Sequence, residues 1–321
     1  MKPPPLLVSF PSLDDYLGAL ADDQRNEHSA AIKALAGRGL PPAVSVRCVA
    51  TLFGYSAGFV GAMMRRPERY HRIFWIPKGR GRREIQAPKV ALKAVQSWLG
   101  YHMNRSVVMP DCVYGFVPGR SAVMAAAVHC GSDWVLSLDI RDFFASTPAT
   151  KVISALLQVG YHKHGAELIA SLCCYCGVLS QGSPASPVLS NLVFRDTDER
   201  LIGVAENFGV RYTRYADDMV FSGRGAAPPC LEDEARQAVL AAGWLLAERK
   251  VTLGTTPRRL KVHGLLVAGD KPRLTKGYRN RIRAFRHLLA AGKIKPADIA
   301  KVLGHLAYAK SVEEYSVGRR I

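Results

Sequence analysis

Three aspartates in this chain have the type and setting to do chemistry together. Asp139 ends the apolar run Trp134-Val135-Leu136-Ser137-Leu138, and Asp217-Asp218 lies within the stretch from Arg211 to Ser222. The first run reads as a buried strand whose last residue emerges at a sheet edge. The second reads as a β-hairpin: two strand-like arms around Ala216, Asp217 and Asp218. Set side by side in one sheet, they bring three carboxylates to one edge. Like charges so placed repel unless a cation joins them. Mg²⁺ is the natural guest, a hard ion that binds oxygen and is commonly shared with substrate phosphates. Two such ions about 3.5–4 Å apart clamp the attacking and leaving oxygens of an in-line phosphoryl displacement. Adjacent aspartates also form ordinary turns, but a bare turn has no need of the flanking apolar arms.

The elements that would position these residues are mixed. Residues 12–66 read as helical, opened by Ser12 as an N-cap with Asp14 and Asp15 in the first turn and broken at Gly39 and Pro41-Pro42. From Phe74 to Ala87 two short strand-like pieces flank a tip rich in Gly, Lys and Arg. Lys89 to Met103 is an amphipathic helix with Leu92, Val95, Gln96 and Leu99 on one face. Helices are expected over Lys151–Gln158, His164–Cys173, Ser186–Ala205 and Leu231–Ala242. A second hairpin is expected from Lys261–Ala268 and Lys271–Thr275, turned by Gly269-Asp270, with two or three helices after it. Strands and helices without βαβ regularity predict an α+β fold. Phe74 and Trp75 read as strand core, and Cys173, Cys174 and Cys176 as small buried thiols of a core helix.

Charge points to the partner. Among 321 residues, 44 Lys and Arg face 26 Asp and Glu, a net charge of +18. That excess implies a polyanion, most simply nucleic acid. Between Arg249 and His287 lie twelve basic residues and one acid, Asp270, more than half of the net charge. There Arg279, Arg283 and Arg286 share one helical face while Ile282, Phe285 and Leu289 share another, so one side can pack as the other tracks phosphates. The composition, 48% apolar and 22% charged, excludes global disorder. No apolar run reaches the length of a membrane span, the first residues lack a signal peptide's apolar core, and the odd count of seven cysteines reads as reduced thiols. A cytoplasmic protein without a membrane partner is expected.

The residues also carry a resemblance. Tyr215-Ala216-Asp217-Asp218 resembles the YxDD box of reverse transcriptases, and Asp139-Ile140-Arg141-Asp142-Phe143-Phe144 their first aspartate motif. Gln181-Gly182-Ser183-Pro184-Ala185-Ser186-Pro187, with Leu189-Ser190-Asn191-Leu192, resembles the QGxPxSPxLSNL stretch. Ile76-Pro77-Lys78 through Arg83-Glu84-Ile85 resembles the fingers motif, and Tyr114-Gly115-Phe116 with Gly119-Arg120-Ser121 the block after it. The five blocks run in the family's order over roughly residues 67–290. Within the family the chain is most similar to bacterial retron enzymes. Val262-His263-Gly264 stands where they carry Val-Thr-Gly, and Ala125 to His129 where they carry Asn-Ala-x-x-His.

The resemblance implies a right-hand polymerase: an N-terminal helical extension over 1–66, interleaved fingers and palm over 67–268, with an antiparallel palm sheet carrying the aspartates, and a helical thumb over 269–321. It implies two Mg²⁺ ions held by Asp139 and Asp217, with Asp218 in a lesser share and the carbonyl of Ile140 as a further ligand. Lys78 and Arg83 would hold the incoming deoxynucleoside triphosphate. Phe144 would block a 2′-OH, Gln181 and Gly182 would line the nucleotide pocket, and Lys250 would protonate the pyrophosphate. Tyr215, Lys261, His263, Arg279, Arg283 and Arg286 would touch nucleic acid. His129 is either an RNA contact or a satisfied buried histidine. The implied function is copying a cognate structured noncoding RNA (msr–msd) into a branched RNA–DNA hybrid in anti-phage defence, with a separate effector protein. The alternatives are a defence-type reverse transcriptase with protein-primed or untemplated synthesis, and an RNA-binding scaffold without catalysis.

Overall fold

The computed structural model describes residues 3–79 and 81–315. The expected tip residue Arg80 and the last six residues of the expected thumb lie outside that set. Five helices come first: α1 (Leu13–Gly18), α2 (Asp22–Gly37), α3 (Val46–Phe53), α4 (Ala57–Arg65) and α5 (Pro67–Tyr70). A ribbon of β1 (His71–Lys78) and β2 (Gly81–Pro88) precedes α6 (Val90–Ser106), α7 (Ala122–Val128) and β3 (Trp134–Asp139). Then follow α8 (Ala149–Val159), α9 (Lys163–Cys173), β4 (Cys174–Tyr175), β5 (Val178–Leu179) and α10 (Ser186–Asn207). The hairpin β6 (Arg211–Tyr215) and β7 (Asp218–Gly223) leads to α11 (Leu231–Ala241) and β8 (Thr252–Thr255). Short strands β9 (Lys261–Val262), β10 (Leu265–Leu266) and β11 (Arg273–Leu274) precede α12 (Lys276–Ala290) and α13 (Pro296–Glu313). The class is α+β, as expected. Among the described residues no single helix is long and apolar enough to cross a membrane.

Local chemistry sets many of the boundaries. Ser12, Ser45, Ser56, Ser121 and Thr275 each cap a helix, the side-chain oxygen accepting from an amide of the first turn. Gly54 and Gly160 stop α3 and α8 in the left-handed conformation, at φ 65° and 107°.

Two compact units emerge. One comprises residues 1–109 and 142–196; the other comprises residues 110–141 and 197–321. The first holds α1–α6, the β1–β2 ribbon, α8, α9 and the start of α10. The second is built on a four-stranded antiparallel sheet in the order β6-β7-β3-β8. As an inner strand, β3 buries Trp134, Val135, Leu136 and Leu138, which explains its unbroken apolar run. Val135 and Val220 of this sheet share a core with Val262, Leu265 and Leu274, and with Ile282, Ala309 and Val312 from α12 and α13. The last two helices are thus anchored to the sheet-bearing unit by apolar burial, about 1.5–3 kcal/mol for each fully covered large side chain.

One strand goes unforeseen and three expectations are corrected. Thr252–Thr255, too short and polar to stand out, pairs with β3 as an edge strand. The stretch expected as one arm over Lys261–Ala268 turns at His263-Gly264, where φ is 48° and 80°, so β9, β10 and β11 make a small three-stranded sheet. Trp75 is 57% exposed on the ribbon and is not strand core. Of the three clustered cysteines, Cys173 and Cys174 are buried but Cys176 is exposed in the β4–β5 turn.

Candidate active site

The register of the sheet brings two of the aspartates together. Asp139, last in β3, stands directly opposite Asp218, first in β7. Tyr215 pairs with Asp218 across the hairpin, so only Ala216 and Asp217 form its loop. Asp218 therefore belongs to the strand and not to the tip, a refinement of the expected three-residue tip. Ala216 takes φ 59°, the positive value that a two-residue hairpin loop requires at a central position. The Ile140 amide donates to the Asp217 carbonyl at 3.1 Å and so ties the end of β3 to the tip.

A third segment brings a cation. The Ala247 amide donates to the Asp139 carbonyl at 2.7 Å, and the 3₁₀ turn Glu248–Lys250 follows directly. The Lys250 ammonium donates to both carboxylate oxygens of Asp139, each at 2.6 Å. From the short β9–β10 turn, His263 sets Nδ1 3.7 Å from the Asp218 carboxylate and its ring 5.2 Å from that of Tyr215. Its side chain is 6% exposed, and its Nε2 is buried without a hydrogen-bond partner among the described residues. The imidazole thus faces the carboxylate edge and is not presented outward to nucleic acid, as had been expected.

The electrostatics match this crowding. Burial, then the Asp218 carboxyl, push Asp139 up to about 7, with Lys250 opposing and Asp217 adding to the rise. Burial acts to raise Asp218 too, but contacts with His263, Asp139 and Lys250 hold it below the usual carboxylate value. The edge therefore carries more negative charge than it can ionise alone. Carboxylate oxygens in such excess fit a hard divalent cation. Among the described residues no three His, Cys, Asp or Glu side chains form a ready-made cage. Mg²⁺ seldom uses one, taking one or two carboxylates together with substrate phosphates.

The remaining candidates divide between the two units. In the first unit, Ile76 pairs with Arg83 and Lys78 with Gly81, so Lys78 and Arg83 share one face of the ribbon. Gln181 docks on the ribbon's second strand: its amide donates to the Gln86 side chain at 2.8 Å, and its carbonyl accepts from the Gln86 amide at 2.9 Å. At Gly182 a Cβ would meet the Gln86 carbonyl at 3.0 Å, with φ at 137°, so glycine is required. Phe144 lies beside Phe143, ring centroids 5.8 Å apart. In the second unit, Lys261, Arg279, Arg283 and Arg286 are exposed, and Arg286 pairs with Glu313 at 3.3 Å. His129 is fully buried, its ring nitrogens 2.7 Å from the Ser222 and Thr213 hydroxyls. Burial foremost, then His263 and Arg211, press it down to about 3, so it is neutral. It pins α7 to the β6–β7 hairpin, and the expectation of an RNA contact there is corrected.

Two features of the site escape a reading of the sequence. A Cβ on Gly115 would fall 2.1 Å from the Ala216 nitrogen and 2.8 Å from the Tyr215 carbonyl carbon, so the turn that carries Asp217 lies directly on this glycine. The Tyr114-Gly115-Phe116 block was the available signal. Arg214 and Asp198, fully buried, form an ion pair beside the same turn; nothing in their spacing announces it.

Comparison with known proteins agrees with this arrangement. Residues 76–267 match the model of the family described as reverse transcriptase (RNA-dependent DNA polymerase). The retron Ec86 reverse transcriptase of Escherichia coli is 31% identical over 78% of this chain and 79% of its own length. The retron Mx65 reverse transcriptase of Myxococcus xanthus is 34% identical over 86% of this chain and 70% of its own. The retron Ec73 reverse transcriptase of Escherichia coli is 28% identical over 80% and 88%. Similarity of that breadth, with the sequence blocks in one order and the aspartates at one sheet edge, makes the chain a member of the retron-type reverse transcriptases, which are RNA-directed DNA polymerases.

Proposed function

We propose that this polymerase copies a cognate structured noncoding RNA (msr–msd), starting from a guanosine 2′-OH within that RNA, and so makes a branched RNA–DNA hybrid. One observation carries the reading: similarity to enzymes named for their retrons reaches 86% of the chain and is not confined to the polymerase core at 76–267. In this reading the enzyme works in the cytoplasm, in anti-phage defence beside a separate effector protein. Sequencing the nucleic acid that copurifies with the protein tests it. The expected product is one single-stranded DNA of defined sequence joined to RNA through a 2′ linkage. DNA of random sequence, or DNA joined to protein, would overturn it.

The residues take these roles. Asp139 and Asp217 would hold two Mg²⁺ ions, helped by Asp218 and the Ile140 carbonyl; bound there, the ions neutralise charge on the transferring phosphoryl group. Lys78 and Arg83 grip the incoming triphosphate. Gln181 and Gly182 line its pocket, and Lys250 delivers a proton to the leaving pyrophosphate. Tyr215 and the small β9–β11 sheet that begins at Lys261 hold the primer end.

Phe144 sits under the sugar and excludes a 2′-OH. Phe144→Ala is expected to raise ribonucleotide use relative to deoxynucleotides by roughly 10–200-fold, the range that one apolar steric contact commands. Primer extension with each nucleotide class measures it, and an unchanged preference removes Phe144 from the gate.

Arg279, Arg283 and Arg286 contact backbone phosphates. Replacing all three with Ala is expected to weaken RNA binding and flatten its salt dependence. Arg286 is already engaged by Glu313, so two lost phosphate contacts set the lower bound. The slope of log K against log salt should fall by at least about 1.4–1.8. A slope equal to wild type means that the stripe faces solvent.

A further inference from the structure

Beneath the loop that carries Asp217 lies a buried network of charge. Arg214 of β6 and Asp198 of α10 are both wholly inaccessible to solvent. The Arg214 guanidinium donates from Nε to Oδ1 of Asp198 at 2.8 Å and from Nη2 to Oδ2 at 2.6 Å. The Tyr212 hydroxyl donates to the same Oδ1 at 2.9 Å. The third nitrogen points elsewhere: Nη1 donates to the main-chain carbonyl of Ala216 at 3.0 Å. That carbonyl belongs to the peptide that joins Ala216 to Asp217.

Arg214 is itself fixed through its main chain. Its amide donates to the Cys112 carbonyl at 2.8 Å, and its carbonyl accepts from the Tyr114 amide at 2.8 Å. Arg214 is therefore held at both ends, its main chain by the backbone of residues 112–114 and its guanidinium by Asp198. Ala216, by contrast, holds φ 59°, a region that costs a residue with a Cβ roughly 1–2 kcal/mol. Rotation of the peptide that follows changes ψ of Ala216 and φ of Asp217, so a bond to the Ala216 carbonyl restrains both and with them the direction in which Asp217 projects.

We infer that Arg214 and Asp198 are positioning residues of the polymerase: the Arg214 guanidinium clamps the Ala216 carbonyl and so fixes the peptide from which Asp217 projects. The inference rests on the proposed role of Asp217. Stability alone is a poor reason for such a pair, because well-packed apolar side chains of similar volume commonly do as well or better in its place. What apolar side chains cannot supply is the N–H aimed at Ala216. Displacing a reacting group by about 1 Å is enough to lose on the order of 10²-fold in rate, so a small rotation at this peptide has a large kinetic effect.

The test separates position from fold. In the triple variant Tyr212→Phe, Asp198→Leu, Arg214→Met, the ion pair is replaced by apolar groups, no lone charge is left buried, and the Ala216 carbonyl loses its guanidinium donor. Expected is a folded protein that binds its RNA within about twofold of wild type and keeps KM for deoxynucleotides within about threefold, while kcat falls by at least about tenfold, more than 1.3 kcal/mol in barrier. If this variant does not fold, Arg214→Lys serves. It keeps a cation opposite Asp198 but lacks the planar fork that donates to Asp198 and to Ala216 from separate nitrogens, and the same fall in kcat at constant KM is expected. A kcat within twofold of wild type in a folded variant overturns the inference. So does a parallel fall of melting temperature, RNA binding and activity, which marks a purely structural role. Asp217→Asn measured alongside distinguishes the two levels. If Asp217→Asn is inactive and the clamp variants are not, only the clamp is wrong. If Asp217→Asn is itself active, the assignment of Asp217 is wrong.

Discussion

Asp217→Asn is expected to cut DNA synthesis by about 10³-fold or more while RNA affinity stays within about twofold. The residue sits in the two-residue loop of the β6–β7 hairpin, beside the Asp139–Asp218 register pair and within the influence of the Lys250 ammonium. Asparagine has nearly the same size and keeps one carbonyl oxygen, so the loop should hold. What is lost is one negative charge from the set proposed to hold divalent cations. Metal stabilisation of a transferring phosphoryl group is worth several kcal/mol, and 4 kcal/mol is about 10³ in rate. RNA binding, proposed to rest on basic surfaces elsewhere in the chain, should not change. Single-turnover extension with Mg²⁺, paired with filter binding of the RNA, measures both quantities. Wild-type-like extension by this variant would falsify the carboxylate assignment.

Gly115→Ala is expected to act nearly as strongly without touching any charged group. Its new methyl would lie 2.1 Å from the Ala216 nitrogen, 2.8 Å from the Tyr215 carbonyl carbon and 3.1 Å from the Ala216 Cα. All three are main-chain atoms, so no side chain can swing away and the turn itself must move. Overpacking of this kind costs roughly 1–3 kcal/mol of stability. That is a fall of some degrees in melting temperature, and a displacement of order 1 Å loses about 10²-fold in rate. The expected signature is a modest loss of melting temperature beside a fall of about 10²-fold in extension rate. Equal melting and extension in wild type and variant would show that the turn has room to spare.

Much of this was legible in the sequence where chemistry is local. The run from Trp134 to Leu138 needs no partner to be read as a buried strand, and the apolar arms of Arg211–Ser222 announce a hairpin. Capping serines mark helix starts because the cap bond closes within three residues. Legibility fails where the cause lies far along the chain. Thr252–Thr255 is a strand only because β3 offers an unpaired edge. His129 is ambiguous in the sequence because Ser222 and Thr213, which take its ring nitrogens, lie 93 and 84 residues away. Arg214 and Asp198 are residue types that usually face water, and their burial depends on each other. Gly115 was visible as part of a motif, but its reason, the backbone of a turn lying on it, is a fact of three dimensions.

The order of strands across the sheet has a consequence for a chain still being made. β3 lies between β7 and β8, yet both neighbours follow it in sequence by about 80 and 115 residues. At about 5–20 residues per second of synthesis, its two edges wait roughly 4–20 seconds for their partners. Through that interval one of the most apolar strands of the protein has no sheet to join, and a bare apolar strand is a template for other chains. Asp139 is as incomplete as the strand that bears it, since Asp218 and Lys250 arrive with those same late segments. A half-made enzyme therefore has no assembled carboxylate edge, and its interval of greatest danger of aggregation coincides with its interval of inactivity. Slowing the ribosome between codons 139 and 218 should lower soluble yield more than an equal pause after codon 260.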